Sequence, residues 1–568
     1  MPQDAFHIQY LSQELASAIV GGKINRIFAT SKDELAFIIY TGKSTVKLIL
    51  NATATFARVC LSQAEKTPLP TPSGFCMLLR KHLQGAEILS VTQKDFERII
   101  EITMHCVSDF SQCERVLHCE LMGKYSNILL TEKGIILGAL KSTSLVTDSR
   151  RVLLSGAKYL YPTLQDKIPY LDRAGMRLLF EKYLSQTENQ WDCENLAVFL
   201  FDHVAGFALS TAREIIKRFL QTQKEKTAEN LTQFILDFCN LPPLYPCLKW
   251  EKQKPIDFFA FEVDGADKKA SLCQAQDEFY TIKEQTKTFE DAKRKLENVT
   301  QTAKKKAQKR LQDHLQKLLD TEKAEEYRIK GELLTANLHR IEKGLSFVTL
   351  DNWYEEHCPS IQILLDATLS PSQNAQRYFK LYNKQKRAKE ILLPRKEQEE
   401  QEIEYLDSIL SNISLAENLT DLKEMENELV ANGILRLPKL KNTTKKKDEP
   451  LPFREYFFEG YKILVGRNNL QNDRLLRLAK PDDIWLHAQK YHSAHVLILT
   501  ENKPVPDTVL QFAGEVCGYF SKGRDADKLP IDYCLKKFVK KPKNSKAGFV
   551  VYTDYKTIFI TPKKHEQL

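Results

Sequence analysis

Residues 291–320 read DAKRKLENVTQTAKKKAQKRLQDHLQKLLD, thirty positions without proline or glycine. Within and beside it Leu296, Val299, Ala303, Ala307, Leu311, Leu315 and Leu318 return every three or four residues. That spacing is the apolar seam of a coiled-coil helix. The same Lys-, Glu- and Gln-rich character runs over about 282–345, which as one helix would reach on the order of 80–90 Å at 1.5 Å per residue. A second charged run, about 372–431, carries Ile403, Leu406, Ile409, Leu410 and Ile413 and is interrupted at Pro394. Residues 346–371 between them, with Trp353, Tyr354 and Pro359, read as a compact tip. Two long helices joined by a short tip predict an antiparallel arm over 282–435; the alternative is a seam that pairs with another chain.

The flanks differ in character. Residues 1–165 alternate short strand-like runs (Leu35–Tyr40, Thr45–Leu50, Ile99–Ile102, Val116–Leu121, Asn127–Leu130) with turn chemistry, and Phe75–Leu83 forms an amphipathic helix after Pro68, Pro70 and Pro72. Residues 166–281 are read as a helical domain. Pro438, the run Lys445-Lys446-Lys447-Asp448-Glu449-Pro450 and Pro452 mark an exposed linker, and 450–568 return to α/β patterning. The fold class is α+β multidomain: a mixed α/β domain, a helical domain, a long arm and a terminal α/β domain.

Composition excludes several classes. At 568 residues the chain exceeds what one core supports, and a net charge of +9 spread over that length does not itself name a polyanionic partner. Twelve cysteines stand without a C-x-x-C pair, so neither a zinc site nor a disulfide scaffold is expected. The start Met1-Pro2-Gln3-Asp4 is not signal-like, and apolar runs such as Ile135–Leu140 cannot span a bilayer. A cytoplasmic protein with no membrane association and no cofactor is expected. Gly42-Lys43-Ser44-Thr45 imitates the end of a P-loop, but Phe37 stands where that loop needs glycine. Pro2 is followed by Gln3 rather than the Glu that a Schiff-base glycosylase pairs with it.

Three stretches point to nucleic acid. Val204–Glu214, with Gly206 at its turn, has the form of a helix-hairpin-helix, whose second helix would offer N–H groups to phosphate; an ordinary helix junction has the same form. Lys536, Lys537, Lys540, Lys541, Lys543 and Lys546 fall within eleven residues, a concentrated source of salt-dependent phosphate attraction. Gly460-Tyr461-Lys462-Ile463-Leu464-Val465-Gly466-Arg467-Asn468-Asn469-Leu470-Gln471-Asn472-Asp473, then Asp483-Ile484-Trp485-Leu486-His487-Ala488, offers stacking planes and many donors and acceptors. Arg467, Asn468, Asn472, Asp473, Trp485 and His487 are the candidate RNA-binding residues there. The spacing of Asp483, His487 and His495 does not require a metal.

That last pair of motifs resembles the C-terminal domain of the RqcH/NEMF (NFACT, FbpA-like) family. The resemblance extends to Phe75–Leu83, to Met122-Gly123-Lys124-Tyr125-Ser126-Asn127, to Gly331–Asn337 and to Asn374–Lys380. One departure is Tyr491-His492-Ser493-Ala494-His495-Val496, where the family usually has Pro-Gly-Ser-His-Val. The resemblance implies a factor that binds the large (50S) ribosomal subunit, its rRNA and its stranded peptidyl-tRNA. It would recruit tRNA, alanyl-tRNA in bacteria, for template-free C-terminal tailing that marks the nascent chain for degradation. The ribosome forms the peptide bonds, so the protein is not itself expected to be the enzyme. A small ribosome-bound helper protein is a further partner the family admits, and a fibronectin-binding adhesin is the alternative. The resemblance assigns tRNA contact to Asp4, Glu97 and Arg98, with Glu97 standing where the family has Asp.

Overall fold

A computed structural model describes the chain except residues 1–2, 109–110, 144–150, 164–165, 188–190, 241–244, 437–451, 544 and 567–568. Pro2 and the linker residues Pro438 and Lys445–Pro450 therefore lie outside the described residues. The chain forms two compact units, Met1–Lys287 and Thr288–Leu568.

The first unit is built on a nine-stranded antiparallel sheet. Its spatial order is Arg58–Leu61, Thr45–Asn51, Glu34–Tyr40, Lys23–Ser31, Glu87–Gln93, Ile99–Ser108, Ser111–Glu120, Asn127–Glu132 and Ile135–Ala139. Alternation sets the faces: along Ile99–Ser108, Ile100, Ile102, Met104 and Cys106 point into the core. Helix Ala5–Ile19 buries Phe6, Ile8, Leu11, Leu15 and Ile19 in the same core. The helices Arg173–Gln186, Cys193–His203, Leu209–Thr222 and Ala228–Asn240 follow. Where a helical reading had run on to 281, a three-stranded sheet intervenes: Cys247–Glu251, Lys254–Phe259 and Asp267–Lys268. Its hairpin turns through Lys252 and Gln253, both at positive φ (45° and 64°), and its short apolar runs carry no period longer than a helix turn.

The first arm helix runs unbroken over Leu272–Thr321, and Ala324–Ala336 continues the outward path. The hairpin of Phe347–Asp351 with Ser360–Leu364 forms the tip, and the second arm helix returns over Pro371–Ser414. Its start is a full capping box between Ser370 and Gln373, with Pro371 in the first turn. Cross-pairs run in opposite order along the two helices: Lys293 to the Ser414 carbonyl (2.7 Å), Lys304 to Asp407 (2.6 Å), Arg310 to Glu399 (2.8 Å). The seam therefore closes within one chain. Leu296 and Ala307 are buried, whereas Leu315 is 42% exposed, so the seam weakens outward. Pro394 does not interrupt the helix but sits inside it; it removes one N–H donor and is accommodated on the exposed side. Helix Leu419–Ala431 closes a small core with Tyr405, Ile409 and Ile413.

The C-terminal domain is a six-stranded antiparallel sheet. Its order is Arg454–Phe458, Tyr461–Val465, Val496–Leu499, Ile484–Ala488, Leu529–Leu535 and Lys556–Ile560. Helix Asp507–Tyr519 covers one face through Val509, Ala513 and Val516. Helix Asn469–Leu478 and the segment around Val539 cover the other, over Leu464, Trp485 and Leu497. All twelve cysteines are free thiols, nine buried and two half-buried; only Cys358, in the arm-tip hairpin, is exposed. No described helix is long and apolar enough to cross a membrane.

Candidate nucleic-acid interfaces

In the first unit, Asp4 caps helix Ala5–Ile19. One carboxylate oxygen accepts from the His7 amide (2.9 Å) and lies 2.6 Å from His7 Nδ1. The other accepts from the Ala208 N–H at 2.7 Å, and Ala208 is the N-cap of helix Leu209–Thr222. One buried carboxylate thus serves two helix N-termini, where negative charge is favoured. With all these bonds made and only 4% of the residue exposed, the Asp4 carboxylate is turned into the fold, where the family resemblance had assigned it contact with tRNA.

The hairpin turn beyond Glu87–Gln93 passes through Asp95 and Phe96 with φ of 43° and 52°, consecutive left-handed residues of the kind that close tight hairpins. Phe96 packs on Tyr170, with ring centroids 4.1 Å apart. The Gly206 carbonyl accepts from Ala5 N (3.0 Å) and Phe6 N (3.3 Å). Gln93 Nε2 donates to the carbonyls of Ala5 (2.7 Å) and Glu97 (2.9 Å). The start of the first helix, the Gly206 turn and the hairpin tip bearing Glu97 and Arg98 therefore meet at one corner.

Arg98 is half-buried and makes no ion pair among the described residues. Burial raises the Glu97 pKa, and Asp95 adds to this while Arg98 opposes it. Lys167, which no motif had marked, donates to the Phe201 carbonyl at 2.6 Å. Its pKa is lowered by burial, with Asp202 opposing and the Arg98 charge reinforcing. Arg98 and Lys167, each near a carboxylate but in no ion pair among the described residues, are cations of the kind that suit phosphate.

Burial opposes the charge of the His7 imidazolium, but Asp4 outweighs it and raises the His7 pKa above its ordinary 6.5, with Asp257 contributing. Conversely, burial raises the Asp4 carboxyl, but His7 and the Ala208 amide hold it below 3.8. A raised His pKa contributes stability that is full below about pH 6.5 and is lost as pH rises through the folded-state value. The melting temperature of the protein should therefore fall as pH rises above 6.5 into the alkaline range, and His7→Asn should flatten that slope. An equal slope in both proteins would refute the pairing.

In the C-terminal domain the densest motif proves to be internal bracing. Arg467 donates to Asp421 Oδ1 at 2.5 Å and to the Pro452 carbonyl at 3.0 Å. Asn468 is an N-cap, accepting from Gln471 N at 2.8 Å. Asn472 Oδ1 accepts from His495 N at 3.2 Å, and Asp473 accepts from Gly548 N at 3.1 Å and pairs with Lys541. Trp485 is fully buried, its ring parallel to His487 (5.6 Å, 4°) and edge-on to His495 (5.2 Å). It therefore offers no free stacking face, contrary to the sequence expectation: the apolar alternation of Ile484–Ala488 turns it into the sheet. Lys541 is tied to Asp473 and Lys537 pairs with Asp482 at 3.6 Å, whereas Lys540, Lys543 and Lys546 stand exposed, with Lys536 half-buried beside them. Exposed Phe549 and Tyr555 accompany them. The electropositive face lies here, on the loop and not on the motif that braces it.

The model of the NFACT N-terminal and middle domains matches residues 4–449, and that of the NFACT protein RNA binding domain matches 453–547. The Rqc2 homolog RqcH of Bacillus subtilis (strain 168) is 32% identical over 574 residues, covering 99% of this chain and 98% of that protein. Rqc2 homolog RqcH of Streptococcus pneumoniae (strain D39) is also 32% identical over 99% of this chain and 98% of its own length. The solved N-terminal part of the fibronectin/fibrinogen-binding protein from Streptococcus suis is 26% identical, with TM-score 0.41 over 49% of this chain and 98% of that one. With family models matching residues 4–449 and 453–547 and full-length relatives at this identity, the chain belongs to the NFACT family of RqcH-type ribosome quality control and RNA-binding proteins.

Proposed function

We propose that this protein binds the large ribosomal subunit carrying a stranded peptidyl-tRNA and recruits tRNA, alanyl-tRNA above others, for template-free C-terminal tailing of the nascent chain. The peptide bonds are formed by the ribosome, and the protein acts in the cytoplasm as an elongation factor. The observation that carries this reading is the corner where Arg98 and Lys167 stand without ion-pair partners among the described residues, near the N-terminus of helix Leu209–Thr222. Asp4 and Gln93 hold that corner together from within. The exposed lysines of the C-terminal domain supply a separate, sequence-independent grip on rRNA.

Arg98→Glu should lower tRNA affinity by at least tenfold, because it removes a phosphate-binding cation and sets a second carboxylate beside Glu97. Binding to large subunits should be nearly unchanged. Gradient sedimentation of tagged protein followed by sequencing of bound RNA reads both. Wild-type recovery of tRNA by the variant would sink the assignment of this corner. The same experiment names the tRNA, and so tests alanine. An adhesin would instead be found by surface labelling of intact cells.

A further inference from the structure

Within the second unit the second arm helix and the C-terminal domain enclose a cleft of about 960 Å³, large enough for a nucleotide. Its floor holds His487 and His495, with ring planes at 82° and centroids 5.6 Å apart. His495 is 1% exposed, and its Nδ1 has no hydrogen-bond partner among the described residues. Asn412 Nδ2, on the arm side of the same cleft, is likewise buried and unpartnered. Unsatisfied buried polar atoms are costly, so two of them lining one open cleft point to a ligand that completes them. Burial holds both imidazoles neutral, His487 down to about 4 with His492 adding to the effect, and His495 well below its ordinary value. A neutral imidazole carries one donor and one acceptor, the pattern that matches a base edge.

The walls differ in sign. On the arm side Glu404 faces His492 and has no ion pair among the described residues, while Asp407 is bound to Lys304 at 2.6 Å. On the opposite side Lys543 and Lys546 stand at the rim, and Lys546 lies 5.5 Å from the Tyr405 ring. A carboxylate wall repels phosphate and accepts from an exocyclic amine, whereas the lysine rim attracts phosphate. The cleft thus has a direction.

We propose that this cleft receives one unpaired nucleotide of single-stranded or looped RNA, its amine-bearing base against Glu404 and Asn412 and its phosphate at Lys543 and Lys546. The proposal rests on the RNA-binding reading of the domain and gives that reading a base-accepting site. Cytosine and adenine, which present an exocyclic amine, should be preferred over uracil.

The test measures binding of end-labelled RNA octamers C8, A8 and U8 to the whole chain by fluorescence anisotropy. Wild-type protein should bind C8 and A8 roughly tenfold more tightly than U8, the size of one good base-edge contact. Glu404→Leu, which accepts no hydrogen bond, should abolish that preference while leaving U8 affinity equal or slightly higher, because the charge that repels phosphate is gone. Lys543→Ala combined with Lys546→Ala should weaken all three by a similar factor. Both changes fall on exposed side chains, and an unchanged melting temperature confirms the fold. Equal affinity for the three octamers, or a preference that survives Glu404→Leu, overturns the proposal. Octamers that fail to bind while large subunits still co-sediment overturn the cleft alone; loss of both overturns the RNA-binding reading as well. Binding of an octa-arginine peptide that needs Glu404, with no octamer bound, would assign the acidic wall to a basic protein segment and also overturn it.

Discussion

Asp421→Ala is expected to destabilise the Thr288–Leu568 unit by about 3–5 kcal/mol, the cost of leaving buried charge unpaired. Asp421 has no exposed surface. It accepts from Arg454 at 2.8 Å and from Arg467 at 2.5 Å, so one carboxylate from helix Leu419–Ala431 is shared by two cations of the C-terminal domain. Arg454 is itself only 3% exposed and lies 4.2 Å over the Phe520 ring. Burial already lowers its pKa; Asp421 opposes this, and the neighbouring Arg467 charge adds to it. Removing Asp421 leaves two guanidiniums repelling in a region of low polarity. Urea unfolding should show the loss. Adding Arg454→Met should recover part of the stability, since an apolar residue of similar length removes the orphaned charge. A loss under about 1 kcal/mol would mean the pair is solvated like a surface bridge.

Gly206→Val should cost about 2–5 kcal/mol in the first unit, combining backbone strain with overpacking. Gly206 has φ of 98°, and a Cβ there would collide with the edge of the Phe96 ring. Phe96 is the anchor of the hairpin that carries Arg98, so the displacement directly reaches the corner proposed to hold tRNA. tRNA affinity should drop more than tenfold even at temperatures where the variant stays folded. Gly265→Val makes the control: its φ is 71°, but no atom lies within 4 Å of the added carbon. It should cost only the strain, about 1–3 kcal/mol, and leave tRNA binding intact. Equal effects from the two substitutions would show that the Phe96 contact is unimportant.

Sequence periodicity revealed the arm because a seam of apolar residues reports a face, and the antiparallel closure followed from two such runs joined by a short tip. Alternation likewise exposed strands such as Ile99–Ser108. What periodicity does not report is what lies opposite a polar side chain. Arg467 and Asp421 are 46 positions apart, and nothing local in either stretch marks them as partners. The Gly466–Asp473 motif therefore read as ligand-facing when its amides and charges are turned inward as caps and braces. Trp485 was misjudged for a related reason: an aromatic beside histidines looks like a stacking platform until the sheet buries it. Lys167 escaped notice because a lone lysine before a helix has no pattern, and only the fold brings it to Arg98. Asp4 was recognised by position, but its task as a shared cap for two helices needed Ala208 in space.

The distribution of thiols gives the protein a built-in handle. Eleven of its twelve cysteines are at least half sheltered, while Cys358 is exposed in the hairpin that ends the arm. A maleimide dye added briefly at neutral pH should therefore mark the arm tip of the unaltered chain ahead of every other position. Paired with an acceptor dye on a ribosomal subunit, it would report where the tip lands, and when it lets go, without a single engineered residue.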